Sequence, residues 1–289
     1  MNRVKVLTLQ SMSLPEKLRH IPDAPLQIYT RGLNLDGLMT RPMVAIVGSR
    51  KVDSYGIHAT KLLSSGLAEK GVVIISGLAL GVDAIAHKAC LDAGSPTISV
   101  LPCGIDTLYP RTNAGLGKQI EQNGCLISEK PGSYTPHEYD FLIRNRLISG
   151  LSDGVIVTQA AARSGSLNTA RHALEQGKVV MAVPGPITNP LCEGPNNLLK
   201  MGATPVTSVD DVLKALGIMD LIAGNKDYEL LAQNEHELTI IKLLQEGESD
   251  GEIIAIRSKL SVQEFNVHLT MLEIRGIISP LGANHWTLT

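Results

Sequence analysis

The chain has 289 residues, of which 44% are apolar and 19% charged, and a formal net charge of −2. That is enough apolar material for one large core plus a small second domain. It excludes a protein drawn to nucleic acid or membrane by its overall field, so any polyanion site must be a local patch.

In chain order, residues 1–42 carry Pro15, Pro22, Pro25 and Pro42 among mixed polar residues. They read as an ordered lead-in packed on the domain that follows. From Met43 a rhythm begins. MVAIVG (43–48), VVIIS (72–76), TISVL (97–101), CLIS (125–128), VIVT (155–158) and VVMAV (179–183) are short apolar runs rich in β-branched residues. Such runs are strands buried on both faces of a parallel sheet. Helical patterns lie between them over 55–70, 82–93, 114–123, 139–151 and 167–176. Gly71, Gly94, Gly124 and Gly177 follow four of these, where the chain leaves a helix with positive φ. Repeated strand–helix–strand units predict an α/β fold, a doubly wound, mostly parallel sheet over 43–217. Ligands of such sheets sit beyond the carboxyl ends of the strands. A linker over 218–233 leads to 234–289. There, three helical patterns and two short strands around Gly282-Ala283-Asn284 predict a small winged helix.

No apolar run approaches the ~20 residues of a membrane helix, and MNRVKVLTLQ is too short and polar for a signal peptide. The cysteines (Cys90, Cys103, Cys125, Cys192) include no C-x-x-C pair, which signals neither zinc nor disulfides. The expected setting is cytoplasmic, with reduced thiols.

Four stretches place chemistry at one edge of the sheet. After the first of these strands comes VGSR. Gly48 and Ser49 form a turn whose backbone N–H groups can approach an anion, and Arg50 adds a planar fork suited to phosphate. Neither GxGxxG nor GxxxxGK[ST] is present, so no dinucleotide or P-loop chemistry is expected. After the second strand, SGLALGVDAIAH places Asp83 and His87 four apart on one helix face. With no third partner they read as a helix-end carboxylate and a structural histidine, not a metal site. Asp106 and Glu129 follow different strands and read as loop residues. After the fifth, Ser164, Gly165 and Ser166 run into a helix whose free N–H groups and hydroxyls would cradle a phosphate; a simple serine cap would need only one of the serines. FLIRNR puts Phe141, Arg144, Asn145 and Arg146 at the start of another helix. Cations for a backbone and a ring for a base suit single-stranded nucleic acid. The alternative is a core ring and an arginine in an internal ion pair.

VGSR, SGLALGVDAIAH, PGSYTPHEYDFLIRNRLISGLSDG, RSGSLNTARHALEQGK and VPGPITNPLCEGPNNLLKMGA occur in an order and spacing that resembles the DprA/Smf family of DNA-processing proteins. The resemblance covers roughly residues 12–217 closely. It implies an extended Rossmann-like sheet domain that binds single-stranded DNA in a basic cleft. It also implies a homodimer through that domain, protection of incoming strands in natural transformation, and loading of the recombinase RecA, with no cofactor and no catalytic activity. The residues it marks are Arg50, Arg144, Asn145 and Arg146, Phe141 as the stacking ring, and the 164–166 turn; the helical pattern over 209–216 is a candidate for the dimer contact. Many members carry a helical domain ahead of the lead-in, which this chain begins too late to hold. Here Leu142-Ile143 stands where the family often has Pro-x before RNR, and Glu138 and Asp140 put acid beside the cleft.

From Asn234 on, eight acidic residues face four basic ones, a balance of −4 that leaves +2 for the remainder. A winged helix that reads a duplex brings cations to the phosphates, so this one is expected to be an interaction module, which disfavours a transcriptional regulator. The alternative function is a nucleotide hydrolase of the Lonely Guy phosphoribohydrolase type. Those carry PGGxGT and a nearby catalytic glutamate; here the region reads RSGSLNTA.

Overall fold

The computed structural model describes residues 4–219 and 231–288, which form two compact units divided after Ile218. Most of the expected linker over 218–233 lies outside the described residues. Among those described, no helix is long and apolar enough to cross a membrane.

The first unit is built on a nine-stranded sheet. Its strands are β1 (Lys5–Thr8), β2 (Gln27–Gly32), β3 (Met43–Val47), β4 (Val73–Ser76), β5 (Thr97–Gly104), β6 (Cys125–Lys130), β7 (Gly154–Val157), β8 (Val179–Ala182) and β9 (Thr204–Pro205). They lie in the order β1-β2-β6-β5-β4-β3-β7-β8-β9. From β6 through to β9 all pairs are parallel, and β1, β2 and β6 pair antiparallel. The apolar runs expected to be strands are these core strands, because β3, β4 and β7 are buried along their whole length.

The lead-in does more than pack on the sheet. It supplies two antiparallel strands to its edge, with Tyr29 opposite Ser128, and the helices α1 (Glu16–Arg19) and α2 (Leu35–Met39). The short polar β1 and β2 lack the continuous apolar run that marked the other strands.

The helices between strands are α3 (Ser54–Glu69), α4 (Val82–Asp92), α5 (Ala114–Asn123), α6 (Glu138–Leu151) and α7 (Ser166–Glu175), followed by α8 (Glu193–Lys200) and α9 (Val209–Ala215). Gly71, Gly94 and Gly177 have positive φ after their helices. Gly124 does not: its φ is −157°, and it is glycine because a Cβ there would run into the Thr97 carbonyl.

The order of strands decides where a ligand can sit. Between β3 and β6 the chain winds one way; α6 then carries it back across the sheet to β7, on the other side of β3. The carboxyl ends of β3 and β7 are therefore the switch point, where loops diverge and leave a crevice. As the return crossover, α6 is buried from Arg144 through Leu151, and Leu147, Ile148 and Leu151 share one core with Leu18 and Ile21 of the lead-in.

The second unit contains α10 (Glu235–Gln245), α11 (Gly251–Ser258), α12 (Val262–Ile274) and the antiparallel hairpin β10 (Ile278–Gly282)–β11 (His285–Leu288), the element order of a winged helix. Ile240, Ile241, Ile254, Phe265, Leu269 and Leu272 fill its core. The hairpin turn has Ala283 and Asn284 at φ 48° and 61°, the left-handed pair that a tight hairpin needs.

Candidate nucleic-acid interface

A cleft of about 730 Å³ opens at the switch point. Nine of the ten residues singled out in the sequence line it: Gly48, Ser49, Arg50, Phe141, Arg144, Asn145, Ser164, Gly165 and Ser166. Lys51, Asp83, Tyr109 and Glu138 join them. Arg146 does not.

The β3 turn is locked from beneath. The Ser49 N–H donates to the Gln159 carbonyl at 2.6 Å, and the Ser49 carbonyl accepts from Val82 N–H at 3.2 Å. Ser49 Oγ accepts from Lys51 N–H at 3.1 Å. Gly81 sits at φ +76°, and a Cβ there would strike the backbone of Ser49 and Arg50, so the turns after β3 and β4 interlock only with glycine at that position. The Ser49 N–H, expected to approach an anion, is thus used inside the protein, as is the N–H of Lys51 beside it. What this turn presents is the exposed side chain of Arg50.

The turn into α7 is ordered by its own hydroxyls: Ser164 Oγ and Ser166 Oγ lie 2.8 Å apart. Asn145 reaches across from α6, its Nδ2 donating to the Gly165 carbonyl and to Asn168 Oδ1, both at 3.3 Å. The role of Asn145 here is to join two walls of the cleft.

The arginine doublet splits, because residues two apart on a helix point to nearly opposite sides. Arg144 turns under the cleft floor. Its Nη1 donates to the Gly77 carbonyl at 2.9 Å and to the Val100 carbonyl. Burial pulls its pKa down to about 10, so the group stays charged at neutral pH. Arg146 turns away, gripping Glu129 with both Nη atoms at 3.0 and 2.8 Å. Its Nε donates to the carbonyl and the carboxylate of Asp23 at 2.9 and 3.1 Å. As a phosphate ligand Arg146 is therefore a correction: it is buried and its donors are taken. Glu129 is corrected with it. It belongs to strand β6, not a loop, and is the partner of that arginine; Asp106 pairs with Arg31.

Gly77 leaves the room that Arg144 occupies: a Cβ there would lie 2.5–2.7 Å from the guanidinium. Gly77→Ala is expected to evict it from its two carbonyls, lowering stability by about 3 kcal/mol. Chemical denaturation of the variant checks this.

At the rim, the Arg50 guanidinium lies 5.1 Å from the centroid of the Phe141 ring, within cation–π range. Tyr109 meets Phe141 edge-on at 5.5 Å and 64°. Tyr109 escaped the sequence reading. Its one signal there is its place in a loop after a core strand, at the edge where the other turns lie.

Beneath the floor, Asp83 accepts from Gly77 N–H at 3.1 Å. Burial raises its pKa although Arg144 opposes this. His87 faces Thr97, Nδ1 to Oγ1 at 2.8 Å. Thr97 gives its own hydroxyl proton to the Ile74 carbonyl, so Nδ1 carries the ring proton and the buried Nε2 has no partner. Burial, then the charge of Arg144, push the pKa down to about 3. The unfolded chain takes up this proton near pH 6.5, so between those values the unfolded state binds more protons. Stability is full above pH 6.5 and falls below it, by up to about 1.4 kcal/mol per pH unit from this group. Urea midpoints from pH 7 to 4 should show that slope in the wild type. His87→Asn, which keeps a donor towards Thr97 without titrating, should flatten it. Among the described residues, no cluster of three or more His, Cys, Asp or Glu could hold a metal ion.

Residues 5–217 match the family model described as DNA recombination-mediator protein A. Protein Smf of Escherichia coli K12 is 47% identical over 94% of this chain and 74% of its own length. The DNA processing protein DprA of Bacillus subtilis is 38% identical over 74% and 71%. Among solved structures, DNA processing protein A of Streptococcus pneumoniae superposes with a TM-score of 0.70 at 40% identity, over 73% of this chain and 74% of that one. DNA processing protein A of Helicobacter pylori, described for its single-stranded DNA binding mode, gives 0.67 at 34% identity, over 75% and 98%. The sheet order and the glycine and arginine turns at its switch point thus belong with a match across the whole first unit, and the chain is a member of the DNA recombination-mediator protein A family.

Proposed function

We propose that the chain binds single-stranded DNA in the switch-point cleft, catalyses no reaction on it, and passes the strand to RecA as a homodimer. The observation that carries this reading is the exposed Arg50 guanidinium held over the Phe141 ring at the cleft rim. It offers charge to a phosphate next to a π-face for a base. Lys51 adds a second exposed cation, and the charge of Arg144 lies under the floor. The Ser164–Ser166 turn offers hydroxyls on the opposite wall. The Helicobacter pylori relative supports the choice of ligand.

The test is fluorescence anisotropy of labelled oligo-dT over a salt series with duplex competitor. Log K should fall with log salt by about 0.7 per phosphate contacted, and duplex should not displace the probe. No binding by folded protein at low salt would sink the reading. Light scattering tests the dimer, for which α9 is the proposed contact. RecA filament growth on coated strands, with and without the protein, tests delivery.

For the second unit the proposal is an interaction module and not a duplex reader. Its third helix, α12, contains no Lys or Arg. Arg257 pairs with Glu246 and Glu248, and Arg275 with Glu237. Removing the second unit should leave duplex affinity unchanged; a duplex affinity that disappears with it would overturn the proposal.

A further inference from the structure

From the loop after β6 into the first turn of α6 the chain carries a second group of rings. Tyr134 and His137 lie with centroids 6.3 Å apart at 72°, and His137 and Tyr139 lie 5.8 Å apart and nearly parallel at 3°. Tyr139 is 56% exposed, and His137 is exposed beside it. The backbone that presents them is pinned. The carboxylate of buried Asp140 accepts from the Tyr134 hydroxyl at 2.9 Å and from His137 N–H at 2.8 Å. The Lys130 ammonium lies 5.2 Å from the Tyr134 ring centroid and 3.9 Å from Asp140 Oδ1.

This patch runs into the cleft. Tyr139, Leu142 and Ile143 are three and four apart on α6 and share a face; Leu142 and Ile143 are exposed at 46% and 41%. Leu142 and Glu138 also line the cleft. A carboxylate at that boundary repels phosphate and accepts hydrogen bonds from the N–H donors of bases, the ring N3–H of thymine among them. A strand crossing it would turn its bases, not its backbone, towards the protein. Beyond it stand rigid parallel rings with a lysine nearby, the arrangement on which successive bases stack without regard to sequence.

We propose that His137 and Tyr139 form a second base-stacking subsite, which receives one or two nucleobases of a single strand leaving the cleft. The proposal rests on the cleft being the single-strand site. Continuity with the cleft and the parallel rings favour nucleobases over a protein partner as the occupant.

The test uses oligo-dT of about 4 and about 16 nucleotides, bracketing one binding site, with the full chain and its His137→Ala/Tyr139→Ala variant. The quantity read is the ratio of long to short affinity. The variant should lower that ratio about tenfold, and Tyr139→Phe in the wild-type background should preserve it, since the ring and not the hydroxyl stacks. A ratio unchanged in the double variant overturns the subsite. So does an equal loss at both lengths, which would make the rings part of the cleft's own support. Unchanged DNA binding with lost self-association in light scattering would assign the patch to a protein partner and also overturn it. A wild type that binds neither length would bring down the cleft reading and the subsite together; the other outcomes leave the cleft reading standing.

Discussion

Arg146→Ala will lower the stability of the sheet unit by about 3 kcal/mol and leave the salt slope of single-strand binding where it was. The side chain is 5–6% exposed, and its fork joins two parts of the chain: Glu129 at the end of β6 and Asp23 in the lead-in. Asp23 itself sits at φ 56°, so the lead-in reaches the arginine through a left-handed turn. Truncating the arginine leaves the Glu129 carboxylate half-buried and unpaired, which costs more than the pair contributes. The figure lies at the low end for buried pairs because Glu129 and Asp23 keep 26% and 80% of their side-chain exposure. Arg146→Lys will recover only part of the loss, since an ammonium cannot make the two parallel bonds. Denaturant midpoints read the first effect and anisotropy over salt the second. A flattened salt slope in folded Arg146→Ala would place this arginine on DNA after all.

Arg50→Ala is expected to do the reverse. Its side chain is exposed and lies over the Phe141 ring, so stability should change by less than about 0.5 kcal/mol. Affinity for oligo-dT should fall on the order of tenfold or more at moderate salt, the value of a charge-assisted phosphate contact. The magnitude of the salt slope should shrink by about 0.7. Because the guanidinium and the ring touch, Arg50→Ala and Phe141→Ala should not add: the double variant will lose less than the sum of the two. Full additivity, or a slope that Arg50→Ala does not change, would remove Arg50 from the phosphate path.

The contrast between these two arginines shows where sequence reasoning ends. RNR looks like one basic motif along the chain. On α6 it is three directions: Arg144 under the floor, Asn145 across to Gly165, Arg146 to Glu129 and Asp23. Which direction faces the cleft depends on what packs against each side of the helix, and those partners come from distant parts of the chain. Tyr109 was hidden for the same reason. A loop tyrosine becomes a cleft residue only when β5 is laid beside β4 and Phe141 arrives from α6.

The core strands and their helices, the presence of glycine turns after β3 and β4, and the edge of the sheet at which the cleft opens were all legible in the sequence. Those features are written locally: continuous β-branched runs report burial on both faces, glycine reports a backbone that no side chain can follow, and strand–helix alternation with right-handed crossovers gathers the loops at one edge. Tertiary packing was needed to learn that the lead-in adds antiparallel strands, that the turns after β3 and β4 interlock, that Gly124 serves close approach and not a left-handed turn, and that one arginine of the doublet stays under the cleft while the other holds the fold. Each of those outcomes depends on a contact between residues far apart in the chain, and local pattern carries no information about which distant group will fill the space.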